Sequence, residues 1–321
     1  MARWIRVSTI AYPPVEAGDD FMKRQRQRIC ELAEMAASAQ PSPDLIAFPE
    51  FCTVLGMPGT TQDRLAHAEP IPGPTTEMLS EIARRYKTYI VIPMPERDGE
   101  VLYNSAAFIG RDGEIVGVYR KYQPTIGEME AGIRPGEDVP VFDLDFGRVG
   151  AAICFDMKFY EVGQTMARKG ARLCVFASMF VAGRRLWNWA RDFGMYIVSS
   201  CTRRSYIVDM GGGRYLADTG TEIPEVANGT VPPIASAVIN MDRCQFHFDY
   251  NAPKLKDVFA KYGQGVEVQM WRPEAHFTLA SLMDDVTVDD IIAEFELEPW
   301  MNYLDRARAV RKQMLDEGCR E

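Results

Sequence analysis

The heptapeptide Gly150-Ala151-Ala152-Ile153-Cys154-Phe155-Asp156 decides how this chain is read. Small and apolar residues from Val149 to Ile153 read as a buried strand. A helix is expected to begin near Tyr160. Cys154 therefore stands at a strand-to-helix elbow, at the edge of a sheet and near helix N-terminal amides, which favour a thiolate and lower a thiol pKa. A single cysteine is ordinarily a core residue, as the flanks of Cys174, Leu173 and Val175, suggest for that position. Cys154 differs because polar Asp156 and Lys158 follow at once. Two other strand-like runs end in one reactive side chain. Ala47-Phe48-Pro49-Glu50-Phe51 presents a carboxylate, and Tyr119-Arg120-Lys121 presents an amine. Glu50 beside two phenylalanines is expected to be partly desolvated, which raises a carboxyl pKa toward the range of a general base. An ammonium at Lys121 can stabilise an oxyanion and keep that carboxylate charged. Thiol, base and cation together fit acyl transfer through a thioester.

Strands and helices extend outward from these runs. On the N-terminal side the pattern predicts a strand over Ile5–Ala11, a helix over Asp20–Ser38, a strand Leu45–Phe48 stopped by Pro49, a helix Pro74–Tyr86 and a strand Tyr89–Pro93. Leu102–Ile109 and Glu114–Arg120 read as a hairpin across Gly110-Arg111-Asp112-Gly113. A second hairpin joins Val139–Leu144 to Val149–Ile153. Beyond it come a helix Glu161–Lys169 closed by Gly170, a strand Leu173–Ala177, a helix Leu186–Met195, and strands Tyr196–Ser200, Ser205–Val208 and Ile234–Ile239. Hairpins mixed with strand–helix–strand units give an α/β class, a mixed sheet covered by helices. Arg243–Met283 reads as less regular. Val288–Glu317 reads as one or two helices with a break near Pro299. The expected division is a main domain over residues 1–280 and a helical extension over 281–321, placed at a subunit interface.

Composition narrows the function. A net charge of -9 over 321 residues argues against a nucleic-acid partner. The start lacks the apolar core of a secretion signal, and no apolar run is long enough to cross a bilayer, so no membrane association is expected. The seven cysteines are odd in number and widely spaced, with no Cys-x-x-Cys pair. That indicates neither a zinc site nor a disulfide framework, and it suits a reducing, cytoplasmic compartment. The three histidines, His67, His247 and His276, share no motif with a cysteine. Gly211-Gly212-Gly213 lacks the Gly-x-Gly-x-x-Gly spacing of a dinucleotide site.

The chain resembles the nitrilase superfamily of carbon-nitrogen hydrolases. The resemblance lies in Phe48-Pro49-Glu50-Phe51, in Tyr119-Arg120-Lys121 followed by Pro124-Thr125 and Glu128, and in Gly150 to Asp156 continuing to Phe159 and Glu161. Fainter echoes are Tyr103-Asn104-Ser105-Ala106, Pro135-Gly136-Glu137 and Trp189-Ala190-Arg191. It runs in order from about residue 4 to about residue 240. It implies a four-layer α-β-β-α sandwich that pairs into a homodimer or larger homo-oligomer. It also implies Glu50 as general base, Lys121 as electrostatic stabiliser, Cys154 as nucleophile, Glu128 as an additional glutamate positioning substrate or lysine, and the Phe155 amide as an oxyanion donor. No metal or organic cofactor is implied.

Within the family, Phe155-Asp156 after the nucleophile is closer to the amidase and carbamoylase pattern than to the Trp-Glu of true nitrilases. Lys121-Tyr122-Gln123-Pro124-Thr125 and Glu128 lean the other way. A small amide or carbamoyl substrate is the first expectation, a nitrile the second, and a catalytically silent scaffold of the same fold the third. Lys158, Arg184 and Arg185 are candidates for a substrate carboxylate, or else a solvated helix face. Phe51, Tyr160, Met179, Phe180, Trp187 and Trp189 are candidates to line a pocket, with a core or interface role the stronger expectation for the two tryptophans.

Overall fold

The computed structural model describes residues 4–12, 15, 18–221 and 229–318. Strands β1 (Trp4–Ile10), β2 (Leu45–Ala47), β3 (Tyr89–Asp98), β4 (Val101–Ile109) and β5 (Ile115–Arg120) lie side by side in sequence order. Strands β6 (Val141–Leu144), β7 (Gly147–Ile153), β8 (Leu173–Ser178), β9 (Tyr196–Cys201), β10 (Tyr206–Val208) and β11 (Tyr215–Asp218) form a second six-stranded sheet. β12 (Ile234–Asn240) completes the first sheet, antiparallel to β1. Within each sheet three central strands are parallel, β1-β2-β3 and β7-β8-β9, and hairpins extend them outward.

The period-two alternation of a strand sorts the core into layers. Leu45, Ala47, Tyr89, Val91 and Phe108 point to the second sheet. Their neighbours Ile46, Ile90, Ile92, Ala107 and Ile109 pack under Ile29, Leu32, Leu79 and Ile82. Those last four belong to α1 (Phe21–Ala37) and to α3 (Pro74–Tyr86), which follows the short α2 (Thr61–Leu65). Beyond α4 (Ile126–Glu130), α5 (Tyr160–Arg168) and α6 (Arg184–Phe193) cover the outer face of the second sheet through Val162, Met166, Leu186 and Ala190. The result is an α-β-β-α sandwich. Buried hydroxyls join its two sheets: Thr9 Oγ1 donates to the Ser199 carbonyl at 2.8 Å, and Ser200 Oγ reaches the Ile10 and Ala47 carbonyls at 2.7 and 3.2 Å.

The stretch read as irregular is in fact ordered. β13 (Arg243–His247), β14 (Val266–Trp271) and β15 (His276–Ser281) form an antiparallel sheet in the order β13-β15-β14. α7 (Leu255–Tyr262), α8 (Val288–Glu294) and the 19-residue α9 (Trp300–Gly318) accompany it. Phe246, Leu255, Val258, Phe277, Leu279, Val288, Ile291 and Leu297 share one apolar cluster there. Its apolar alternation is hidden in the sequence because polar side chains are also buried. Arg243 Nη1 donates to Thr278 Oγ1 at 2.9 Å, and its Nη2 pairs with Glu267 at 2.7 Å. Among the described residues, no helix is long and apolar enough to cross a membrane.

Candidate active site

Parallel strands deliver their carboxyl ends to one edge of the sandwich, the usual place for a ligand in such sheets. Glu50 lies three residues past β2, buried to 2% exposure. Pro49 cannot donate to a ladder, and Phe51 turns the chain with φ 53°. Lys121 follows β5. Its amide donates to the Asn104 carbonyl at 2.8 Å, and its carbonyl accepts from Gly136 at 2.8 Å. A Cβ at Gly136 would lie 2.3 Å from the Arg120 carbonyl oxygen, so only glycine permits this close approach. Glu128 is not in an exposed loop. It sits in the first turn of α4, buried, where the Thr125 amide donates to its Oε2 at 2.7 Å and its own amide donates to Thr125 Oγ1 at 3.2 Å.

The three charges meet. Lys121 Nζ donates to Glu50 Oε1 at 2.8 Å, and to Glu128 Oε1 and Oε2 at 3.0 and 2.8 Å. Its side chain is 1% exposed. Burial alone would lower the Lys121 pKa, but the charges of Glu50 and Glu128 outweigh it and hold the ammonium above the ordinary lysine value. Burial would likewise raise the Glu128 pKa, and the Lys121 charge with hydrogen bonds from Lys121, Thr125 and Asn104 lowers it instead. Lys121 is thus a permanent cation at neutral pH, and Glu128 a permanent anion.

Cys154 directly follows β7, with φ 49°. That left-handed conformation costs a non-glycine residue about 1–2 kcal/mol. A single tight turn, Cys154–Lys158, separates it from α5. The α5 amides are therefore a turn away, and the expected lowering of the thiol pKa is reversed. Burial first, then the Glu50 charge, push the thiol up to about 12, against the Lys121 charge and a Ser178 hydrogen bond. Glu50 also hydrogen-bonds the thiol. At neutral pH the Cys154 thiol is therefore neutral.

Asp156 fixes the elbow from beneath. Its fully buried carboxylate accepts from the Ile153 amide at 2.8 Å, the Gln123 amide at 2.7 Å and the Tyr119 hydroxyl at 2.7 Å. Burial raises its pKa to about 6, against those three donors and Lys121. Asn104 is the residue that sequence reasoning passed over. Its Nδ2 donates to Glu50 Oε1 at 2.9 Å and to Glu128 Oε1 at 2.7 Å. The only signal for it was the faint echo at Tyr103–Ala106. Ser178 had no signal: its hydroxyl accepts from the Phe180 amide at 2.9 Å and meets the thiol.

The other candidates divide. The Met179 amide donates to Glu50 Oε2 at 3.2 Å, placing the segment after β8 against the cluster. Phe180 follows it, and exposed Lys158 holds its ammonium 5.5 Å from the Phe180 ring centroid. The Phe155 ring meets Phe159 edge-on at 5.3 Å. Tyr160 is not brought into the group: it is 48% exposed and packs on Phe193 of α6, with ring centroids 4.7 Å apart. Trp189 is core, Trp187 packs on Tyr215, and Phe51 packs with Phe21, Val54 and Met57. Arg184 and Arg185 are exposed at the start of α6. Among the described residues, no three histidine, cysteine, aspartate or glutamate side chains gather as a metal site.

Comparison with known proteins agrees with this architecture. The family model for carbon-nitrogen hydrolases matches residues 21–198, more than half of the chain. The chain belongs to that family. It is 33% identical to the omega-amidase NIT2-B of Xenopus laevis over 162 residues, 48% of this chain and 57% of that protein. It is also 33% identical to the bifunctional nitrilase/nitrile hydratase NIT4A of Lupinus angustifolius over 145 residues, 42% of this chain and 41% of that protein. The chain thus spans about half the length of the curated relatives it matches. Among solved structures, a member of branch 10 of the nitrilase superfamily from Saccharomyces cerevisiae superposes with a TM-score of 0.62 at 24% identity, covering 74% of this chain and 90% of that one. An amidase from Nesterenkonia sp. gives 0.59 at 19% identity, covering 79% and 96%. These two likenesses speak for the fold.

Proposed function

We propose that this chain hydrolyses the carbon–nitrogen bond of a small amide through a thioester on Cys154. The observation that carries the reading is the sealed Lys121 ammonium, held by Glu50 and Glu128 within 3.0 Å, beside a thiol that Glu50 itself contacts. Glu50 takes the thiol proton as the sulfur attacks the carbonyl carbon, so the high thiol pKa is relieved only during reaction. Lys121 and the Phe155 amide stabilise the oxyanion. Collapse breaks the carbon–nitrogen bond, and ammonia leaves with the proton that Glu50 returns. Glu50 then deprotonates the water that cleaves the thioester. Glu128 holds Lys121 in place. Met179 and Phe180 border the substrate. Lys158, Arg184 and Arg185 are exposed, and we assign them to a distal substrate carboxylate. A nitrile substrate is the second reading, favoured by the nitrilase/nitrile hydratase relative.

The test is ammonia release from matched amides and nitriles, with and without a distal carboxylate, coupled to mass spectrometry of the quenched Cys154 peptide. The reading expects a Cys154 acyl adduct and preference for the acidic amide. Turnover of nitriles alone selects the second reading, and no adduct with any substrate leaves a silent scaffold. We also assign α9 to contact between copies of this chain, because Val310, Met314 and Leu315 are 49%, 64% and 53% exposed along it. A dimer or larger species by light scattering that dissociates in Met314→Glu is the expected result.

A further inference from the structure

The four carboxylate oxygens of Glu50 and Glu128 are not equally loaded. Glu50 Oε1 accepts from Lys121 at 2.8 Å and from Asn104 at 2.9 Å. Glu128 Oε1 accepts from Lys121 at 3.0 Å and from Asn104 at 2.7 Å. Glu128 Oε2 accepts from Lys121 at 2.8 Å and from the Thr125 amide at 2.7 Å. Glu50 Oε2 accepts from the Met179 amide at 3.2 Å, and Glu50 also hydrogen-bonds the Cys154 thiol. Glu50 Oε2 is the one of the four to which neither Lys121 nor Asn104 donates among the described residues.

Asn104 enforces this inequality. It is fully buried on β4, and its carbonyl also accepts the Lys121 amide at 2.8 Å. Its side-chain Oδ1 has no hydrogen-bond partner among the described residues. Turning the amide over would press Oδ1 against two carboxylates, so the orientation is fixed even though an acceptor goes unused.

We propose that Asn104 is a positioning residue that, with Lys121, occupies Glu50 Oε1 and leaves Glu50 Oε2 as the single oxygen that carries the proton. This rests on the reading of Glu50 as the general base. The proton passes from Cys154 Sγ to Oε2 as the sulfur electron pair forms the bond to carbon. It then passes from Oε2 to the leaving nitrogen as the carbon–nitrogen bond breaks. Without Asn104 the carboxylate loses a donor to its charged form and is free to rotate its oxygens between the thiol and the lysine.

The experiment is the pH profile of kcat and KM for Asn104→Leu and Asn104→Ser, with folding followed by thermal melting and the Cys154 adduct followed by mass spectrometry. For Asn104→Leu, kcat/KM is expected to fall about 10²-fold, as for a small misplacement of reacting groups. KM should stay within about threefold, and the loss should appear in kcat. The acidic limb of kcat/KM should move upward by about one pH unit, the size of one hydrogen bond to a charged group. An unmoved acidic limb, whether rates fall or hold, overturns the proposal, because a merely structural asparagine changes the folded fraction and not the profile. If Asn104→Leu does not fold, Asn104→Ser is read by the same criteria. A wild-type protein that forms no Cys154 adduct with any substrate instead removes the underlying reading.

Discussion

Arg120 and Lys121 are consecutive residues, and each holds two carboxylates. Strand alternation sends them to opposite sides. Arg120 meets Glu96 at 2.6 Å and Asp98 at 2.7 Å, with its guanidinium 3.9 Å from the Tyr103 ring centroid and its side chain 33% exposed. Lys121 meets Glu50 and Glu128, both at 2.8 Å, at 1% exposure. The inventory of charges is the same, and water makes the difference. An exposed network gains about 0–1 kcal/mol per pair and is screened by salt. A sealed one has already lost its hydration, so every remaining donor is committed and removing one strands a charge. The outer cluster fastens the edge of a sheet; the inner one keeps its charges paired inside the fold.

The largest effect expected is from Cys154→Ala, which should reduce turnover below a few percent of wild type while the melting temperature holds. A melting temperature that falls with it would make the inner cluster as structural as the outer. Next comes an exchange of cations. Lys121→Arg should lower kcat about 10²–10³-fold, because a planar guanidinium cannot replace a compact ammonium inside a closed shell. Arg120→Lys should leave kcat within about threefold, since the cation is 33% exposed and its charge is kept. Similar losses for the two substitutions would erase the distinction. Salt separates them further: the stability cost of Arg120→Ala should shrink between 0.1 and 1 M sodium chloride, as the Debye length falls from about 10 to about 3 Å, whereas wild-type kcat should not follow ionic strength.

Two pH measurements are finer. Because burial and Glu50 push the Cys154 thiol up to about 12, its alkylation by iodoacetamide should still be rising at pH 10. A plateau near pH 8 would show a thiolate already formed. The Asp156 carboxyl is raised from 3.8 to about 6 by burial. Its contribution to folding is therefore greatest below the unfolded value and is lost as pH rises through about 6. Asp156→Asn, which has no such dependence, should be more costly relative to wild type at pH 4 than at pH 7, as measured by urea unfolding.

Much of this was legible from local pattern. Helix α3 begins at Pro74 and ends at Tyr86 as the sequence predicts, and the strands around Leu45, Leu173 and Tyr196 lie where short apolar runs place them. Each is a segment whose burial repeats the period of its own backbone. The arrival of Glu50, Lys121, Glu128 and Cys154 at one edge was foreseeable only through three ordered motifs, because the contact between Lys121 and Glu50 spans 71 residues. Asn104 was missed because a polar residue inside an otherwise apolar strand announces a partner without saying which. Tyr160 opens α5, where its ring lies against Phe193 of the neighbouring α6, a packing partner that local pattern does not reveal. The third sheet was missed because Arg243, Gln245 and His276 point inward where apolar residues are expected.

The hydroxyl of Ser200 touches carbonyls on β1 and β2, and β2 leads directly to Glu50. Ser200 itself lies on β9, beside the strand that ends at Ser178, next to the thiol. Sliding one layer over the other would change the gap between the Glu50 carboxylate and the Cys154 sulfur, and this rivet must break first. An oily contact alone tolerates slippage, since dispersion and burial have no direction. A hydrogen bond does not, so a serine outside the proposed catalytic group gauges the spacing on which the proposed chemistry depends.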